Sequence, residues 1–169
     1  HLTRCFESEK IQNINDTVDP LRDIEIVETE MLLADLESIQ NRLDKSKKKS
    51  IDEEQNKILN AALDCINNNE DISVLKEKFN QKALNLTGLL SLKPTIYVCN
   101  VDEESLKSSN KFVKMCIKKY GEKNVVIVSA EIENQINQLE KTEKKLYMKE
   151  SGINNTGLDL LIKKGYNLL

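Results

Sequence analysis

The sequence has no run of about 18 apolar residues, the length a helix needs to span a bilayer, and no signal peptide at its start. Nothing in it is expected to enter or cross a membrane, and a cytoplasmic setting is the expectation. It also has no Cys-X-X-Cys pair: Cys5, Cys65, Cys99 and Cys116 lie far apart. Two of them sit in apolar strand contexts, so small, reduced, buried cysteines are the expectation. No sign of charge dominates, with 25 Lys and Arg against 28 Asp and Glu and a net charge of −3. That balance gives no global attraction to nucleic acid, and any basic contact has to be local. Aromatic residues make up only 4% of the chain, and none is interleaved with its lysine cluster, so base stacking there is not supported. The chain opens on His1 rather than Met and reads as part of something longer.

What is present fits one ordinary domain, or one domain carrying an insertion, in 169 residues. Leu2 to Phe6 suggests a strand, and Ile11 to Val18 a polar loop. Asp19-Pro20 is a helix start, an N-cap acid followed by proline at the first helical position. From there to about Leu43, Leu32, Leu36, Ile39 and Leu43 form one apolar stripe. Acids crowd its early part and lysines its end, the order that complements the helix dipole. A second helix, Ser50 to about Asn67, carries Ile58, Leu59, Ala62, Leu63 and Ile66. Two helices joined by a short polar turn predict an antiparallel hairpin. Lys45, Lys47, Lys48 and Lys49 fall near its tip, either as a solvated turn or as a local phosphate contact with RNA. A third amphipathic segment runs through Leu75, Phe79 and Leu84 to Leu92.

Thr95 to Cys99 is β-branched and aromatic and apolar on both faces, with Pro94 at its start. This predicts a strand of a parallel sheet covered on both sides by helices. It ends in Asn100-Val101-Asp102-Glu103. Ligands of such sheets bind beyond the carboxyl ends of the strands. An Asn amide gives and accepts hydrogen bonds at a purine edge. The acid three residues later is Glu103 rather than Asp, which weakens a guanine-specific fork and admits adenine. The competing reading of these four residues is a turn that places Asp102 or Glu103 at a helix N-terminus. A helix over about Ser108 to Tyr120 follows, then Gly121 as its C-terminal stop, then a strand over Asn124 to Ser129. That strand–helix–strand order is a βαβ unit. It brings Ser129 and Ala130 to the same sheet edge as Asn100 and Glu103, which favours a nucleotide site. Helices over Glu133 to Lys145 and Leu158 to Leu169 complete the reading, with a turn around Gly152 to Gly157.

Several stretches together resemble one family: His1-Leu2-Thr3-Arg4-Cys5-Phe6-Glu7, Val18-Asp19-Pro20-Leu21-Arg22-Asp23-Ile24-Glu25, Thr29-Glu30 with Leu33-Ala34-Asp35-Leu36, Leu92 through Glu103, Ser129-Ala130 with Glu133, and Gly157-Leu158 with Gly165-Tyr166. In this order they are similar to the Obg-like ATPases of the YchF family, in the translation-factor branch of P-loop NTPases. The resemblance runs from the first residue to the last. It implies an α/β fold, the C-terminal part of a Ras-like G domain with parallel strands flanked by helices and an inserted α-helical hairpin or coiled-coil domain. The implied division is 1–18 for a G-domain strand and loop, 19–88 for the inserted hairpin and 89–169 for the remainder with the base-recognition motifs. It implies ATP preferred over GTP, with Asn100 on the adenine edge, Val101 lining it, Glu103 replacing the guanine-reading acid, and Ser129 and Ala130 offering backbone contacts. It implies association with the ribosome.

Three features depart from the family pattern. The phosphate loop Gly-X-X-X-X-Gly-Lys-Ser/Thr is absent, along with the switch loops and magnesium ligands, so Mg2+ is expected only in the intact protein. The family's C-terminal TGS domain is absent. The position of the family's catalytic histidine is Asn13, a neutral amide that orients water but exchanges no proton near pH 7. No catalytic residue and no metal ligand are therefore assigned within the chain. Two functions from different classes follow: the base-recognition part of an ATPase, and a helical module that docks a ribosome or protein partner without binding nucleotide itself. A purely structural α/β domain remains if the converging strand ends are a coincidence.

Overall fold

Three short parallel strands make the sheet on which the candidate site is built. The structure is a computed structural model that describes residues 1–8, 17–46, 52–151, 153 and 155–168. In chain order its elements are β1 (Leu2–Arg4), α1 (Pro20–Ser46), α2 (Glu53–Asn67), α3 (Leu75–Lys78), α4 (Gln81–Thr87), β2 (Tyr97–Asn100), α5 (Glu103–Lys107), α6 (Lys111–Tyr120), β3 (Val125–Val128), α7 (Ala130–Gln138), α8 (Lys141–Glu150) and α9 (Gly157–Leu168). Single 3-10 turns lie at Ile72–Val74, Leu90–Leu92 and Glu122–Asn124. The chain divides into two compact units, His1–Ile24 with Thr95–Leu169, and Glu25–Pro94. No helix among the described residues is long and apolar enough to cross a membrane.

In the first unit the strand order is β1-β2-β3, all parallel. Leu2, Thr3 and Arg4 face Val98, Cys99 and Asn100, and Tyr97 to Asn100 face Val125 to Val128. Parallel neighbours need a crossover, and α5 and α6 supply it between β2 and β3. The apolar cluster under the sheet joins Cys5, Cys99 and Val125 to Phe112, Val113 and Cys116 of α6. Pro94 stands outside the ladder, which starts at Tyr97 rather than Thr95. On the other side α9 lies against β3. A Cβ at Gly157 would fall 2.8 and 2.9 Å from the Val128 methyls.

The expected helix from Ser108 to Tyr120 is α6, which starts at Lys111, and a separate short helix, α5, precedes it at the tetrapeptide. The Asp102 carboxylate accepts from Ser105 N at 2.9 Å and opens α5, while the Asn110 amide oxygen accepts from Val113 N at 3.0 Å and opens α6. The helix expected from Glu133 to Lys145 is split. The Glu140 and Glu143 carboxylates cap each other's backbone amides as a reciprocal box, so α8 restarts the chain after α7.

The second unit has its own core. Ile39 of α1 packs with Ile58, Leu59, Ala62 and Cys65 of α2, with Ile72 and Leu75, and with Ala83 and Leu84 of α4. Asp35 is buried and accepts from Leu90 N and Ser91 N, each at 2.8 Å. Arg42 donates to Thr87 O at 2.6 Å and to Gln55 Oε1 at 3.1 Å. The third amphipathic segment breaks into α3 and α4 at Asn80, whose amide oxygen accepts from Lys82 N. Gly88, at φ +68°, ends α4 in the left-handed conformation that glycine adopts without strain.

Candidate functional site

The site forms where β2 and β3 end. Asn100 is the last residue of β2, and its backbone carbonyl accepts from Cys5 N at 2.8 Å. Its side-chain Oδ1 accepts from Ala130 N at 3.0 Å, the first residue of α7. The two strand ends expected to converge do so, and they are tied directly to one another. That hydrogen bond fixes the amide and leaves its Nδ2 group as a donor. Val101 follows, buried, its N–H bonded to Val128 O at 2.8 Å. Asp102 acts as the helix cap described above, and Glu103, exposed, is the first residue of α5. The helix-start reading of the tetrapeptide holds for Asp102, which caps α5, and Glu103 faces solvent.

Ser129 occupies the cap position of α7 but makes no cap hydrogen bond. It is 2% exposed, and its Oγ has no partner among the described residues. A buried hydroxyl without a partner is costly, and Ser129 also lines a cavity of about 570 Å³ with Glu103, Ile127 and Ile132. A second cavity of about 450 Å³ is lined by Asn100, Ala130, Val98 and Val128. Glu133 and Gly157 line both. The five expected residues therefore share one end of the sheet, but Glu103 and Ser129 line one cavity, Asn100 and Ala130 the other, and Val101 is buried in the core and lines neither. Chemically, the set offers an amide donor, a carboxylate and a hydroxyl.

Two further residues hold this geometry. Glu133 Oε1 accepts from Gly157 N at 2.6 Å, fastening α7 to the start of α9 beside the cavities. Asn110 Nδ2 donates to Cys5 O at 2.6 Å and to Ser105 Oγ at 3.1 Å, joining the end of β1 to both crossover helices. Asn110 falls inside the helix expected from Ser108 and is instead the cap of α6. The reach of Glu133 across 24 positions has no local signature. Asn13, Lys47, Lys48 and Lys49 lie outside the described residues. Lys45 is exposed in the last turn of α1.

A parallel sheet whose strand ends meet helix starts at a polar crevice defines a class, the α/β folds that bind ligands beyond the carboxyl ends of their strands. No protein-family model matches the chain. It is similar to the ribosome-binding ATPase YchF of Bacillus subtilis (strain 168), 34% identical over all of the chain and 49% of that protein. It is 35% identical to that of Haemophilus ducreyi and 30% to that of Escherichia coli O157:H7, covering 48% of each. The YchF GTPase of Schizosaccharomyces pombe shares the fold, with a TM-score of 0.77 at 22% identity, over 99% of this chain and 49% of that one. Along its whole length, the chain belongs to the YchF family. It spans about half the length of the curated relatives it matches.

Proposed function

We propose that the chain is the base-recognition part of a ribosome-associated, translation-related nucleoside triphosphatase that takes ATP in preference to GTP. The observation that carries this reading is the Asn100 Oδ1 to Ala130 N bond of 3.0 Å, which locks the two strand ends into one polar edge. The unpartnered Ser129 hydroxyl, which borders the neighbouring cavity with Glu103, fits a ligand with a polar edge at this end of the sheet. In this reading Asn100 Nδ2 donates to the purine, Val101 lines it, and the backbone of Ser129 and Ala130 contacts it. Glu103 stands where a shorter acid would grip guanine. The relatives' names differ on the nucleotide, ATPase for the bacterial proteins and GTPase for the yeast one, so the preference rests on Glu103.

The nucleotide supplies the phosphoanhydride that is hydrolysed, and the residues of this chain bind and orient its base. The phosphate contacts and Mg2+ belong, in this proposal, to the half of the relatives' length that the chain does not span. The same proposal takes 1–18 and 89–169 as parts of a Ras-like G domain, 19–88 as the helical hairpin inserted into it, and the cytoplasm as its location. In the full-length protein, Glu103→Asp shortens the acid by one methylene and restores the guanine fork. The GTP-to-ATP affinity ratio is expected to rise about tenfold or more, the worth of one charge-assisted hydrogen bond. Competition binding with both nucleotides measures it, and an unchanged ratio removes Glu103 from base selection.

A second reading rests on the second unit, which has its own buried core. It makes that unit a docking module for the ribosome, with Lys45, Lys47, Lys48 and Lys49 as a local RNA contact. Reversing these four charges is expected to weaken cosedimentation of the full-length protein with ribosomes, most visibly at low salt. Undiminished cosedimentation counts against it.

A further inference from the structure

Three of the four cysteines meet inside the first unit. Cys5 follows β1, Cys99 lies in β2, and Cys116 projects from α6. Their sulfurs lie within 4.8 Å of one another, and all three residues are 0% exposed. Cys65, the fourth, is buried in the other unit. The cage around the three is apolar, formed by Ile24, Val101, Phe112, Val113 and Val125.

The thiols hydrogen-bond among themselves, and this divides their acidities. Bonds from Cys5 and Cys99 pull the Cys116 thiol below its ordinary value, and the Lys119 charge adds to that. The bond to Cys116 raises both Cys99 and Cys5, and burial raises them further.

We propose that Cys5, Cys99 and Cys116 form a three-sulfur site for a soft monovalent d10 cation, with Cu(I) as the ion it fits. Thiolate ligands select soft ions. Structural zinc sites take four protein ligands, and no fourth His, Cys, Asp or Glu joins this group among the described residues. A trigonal ion with metal–sulfur bonds of about 2.3 Å places its sulfurs about 4 Å apart. Closing the cluster to that spacing moves each sulfur by less than about 1 Å from the observed arrangement. Binding breaks three S–H bonds, forms three sulfur–copper bonds and releases three protons to solvent, leaving three thiolates on Cu(I) and a net charge of −2 on the site. Copper stays in the Cu(I) state throughout, so no oxidant or reductant is required. With no exposure at any of the three residues, loading accompanies folding or local opening of α6 from the sheet.

The 169-residue chain, kept reduced and anaerobic, is mixed with Cu(I) held by a coloured bicinchoninate competitor. The chain is expected to withdraw one equivalent and to gain sulfur-to-copper absorption in the near ultraviolet. Cys65→Ser keeps that equivalent, whereas Cys5→Ser, Cys99→Ser and Cys116→Ser lose it. X-ray absorption of the loaded wild-type chain covers variants that fail to fold, and three sulfur neighbours to each copper are expected. Failure to withdraw copper overturns the proposal. So does copper that Cys65→Ser releases, or a copper shell containing nitrogen or oxygen.

Discussion

Gly157 meets Val128 so closely that only hydrogen fits on its α-carbon. An added methyl would lie 2.8 Å from one branch of the valine and 3.1 Å from its Cβ, which is fixed to the strand. Rotating the valine does not relieve a clash with its Cβ, so α9 has to move away from β3. The same backbone position donates to Glu133, and that bond shifts with it. Gly157→Ala is expected to destabilise the first unit by about 1–3 kcal/mol, the usual cost of overpacking a close contact. Denaturant unfolding of the chain measures this, and a midpoint equal to wild type shows that the contact yields freely. The sequence marks Gly157 as part of a turn and of a family-like stretch, with no sign of what it packs against. Its need for the smallest residue comes from a strand 29 positions earlier and is invisible locally.

At the scale of elements, capping chemistry decides where helices begin, and periodicity only says that they exist. The apolar stripes of α1, α2 and α6 were legible, because a buried face repeats regularly along a helix. Most helix starts were not, since each depends on one polar side chain turning back to its own backbone, as at Asn80, Asn110 and Glu140, whereas the Asp102 cap was one of two readings of its tetrapeptide. Asp71 belongs to this set. Its carboxylate accepts from Ser73 N at 2.8 Å and opens the 3-10 turn at Ile72–Val74. That backbone bond, with a second from the Ser73 hydroxyl, holds the carboxyl below its ordinary value of 3.8. A depressed value in the fold means that the ionised form stabilises it. The contribution is complete above the unfolded value and is lost as pH falls through the folded one. Asp71→Ala is expected to cost about 0.5–1 kcal/mol at neutral pH. The gap to wild type closes as pH falls below 3.8. Thermal unfolding across that range tests the sign, and a gap that widens in acid refutes the assigned cap.

Across the whole chain, the two strand ends were the readable part of the candidate site, because strand, helix and strand in that order put both carboxyl ends on one edge. The direct bond between them was not readable. It spends the Asn100 acceptor on Ala130 and leaves its donor outward. That economy bears on how much binding the chain can do. A base held by Asn100 Nδ2 and one or two backbone groups gains about 0.5–1.5 kcal/mol from each neutral hydrogen bond. A dissociation constant of 1 mM already requires about 4.1 kcal/mol, so these bonds and the stacking of one ring fall near that limit. Nucleotide folds reach tighter affinity through the phosphates, held by helix N-termini, backbone nests and metal. The chain has no Gly-X-X-X-X-Gly-Lys-Ser/Thr segment to supply such a cradle. ATP is therefore expected to bind the 169-residue chain with Kd at or above about 1 mM, with no turnover. Adenosine is expected to bind about as well as ATP, because the phosphates add nothing. Calorimetric titration of both ligands is the measurement. Micromolar ATP with millimolar adenosine would place a phosphate site within these residues and would move the recognition of nucleotide away from the strand ends.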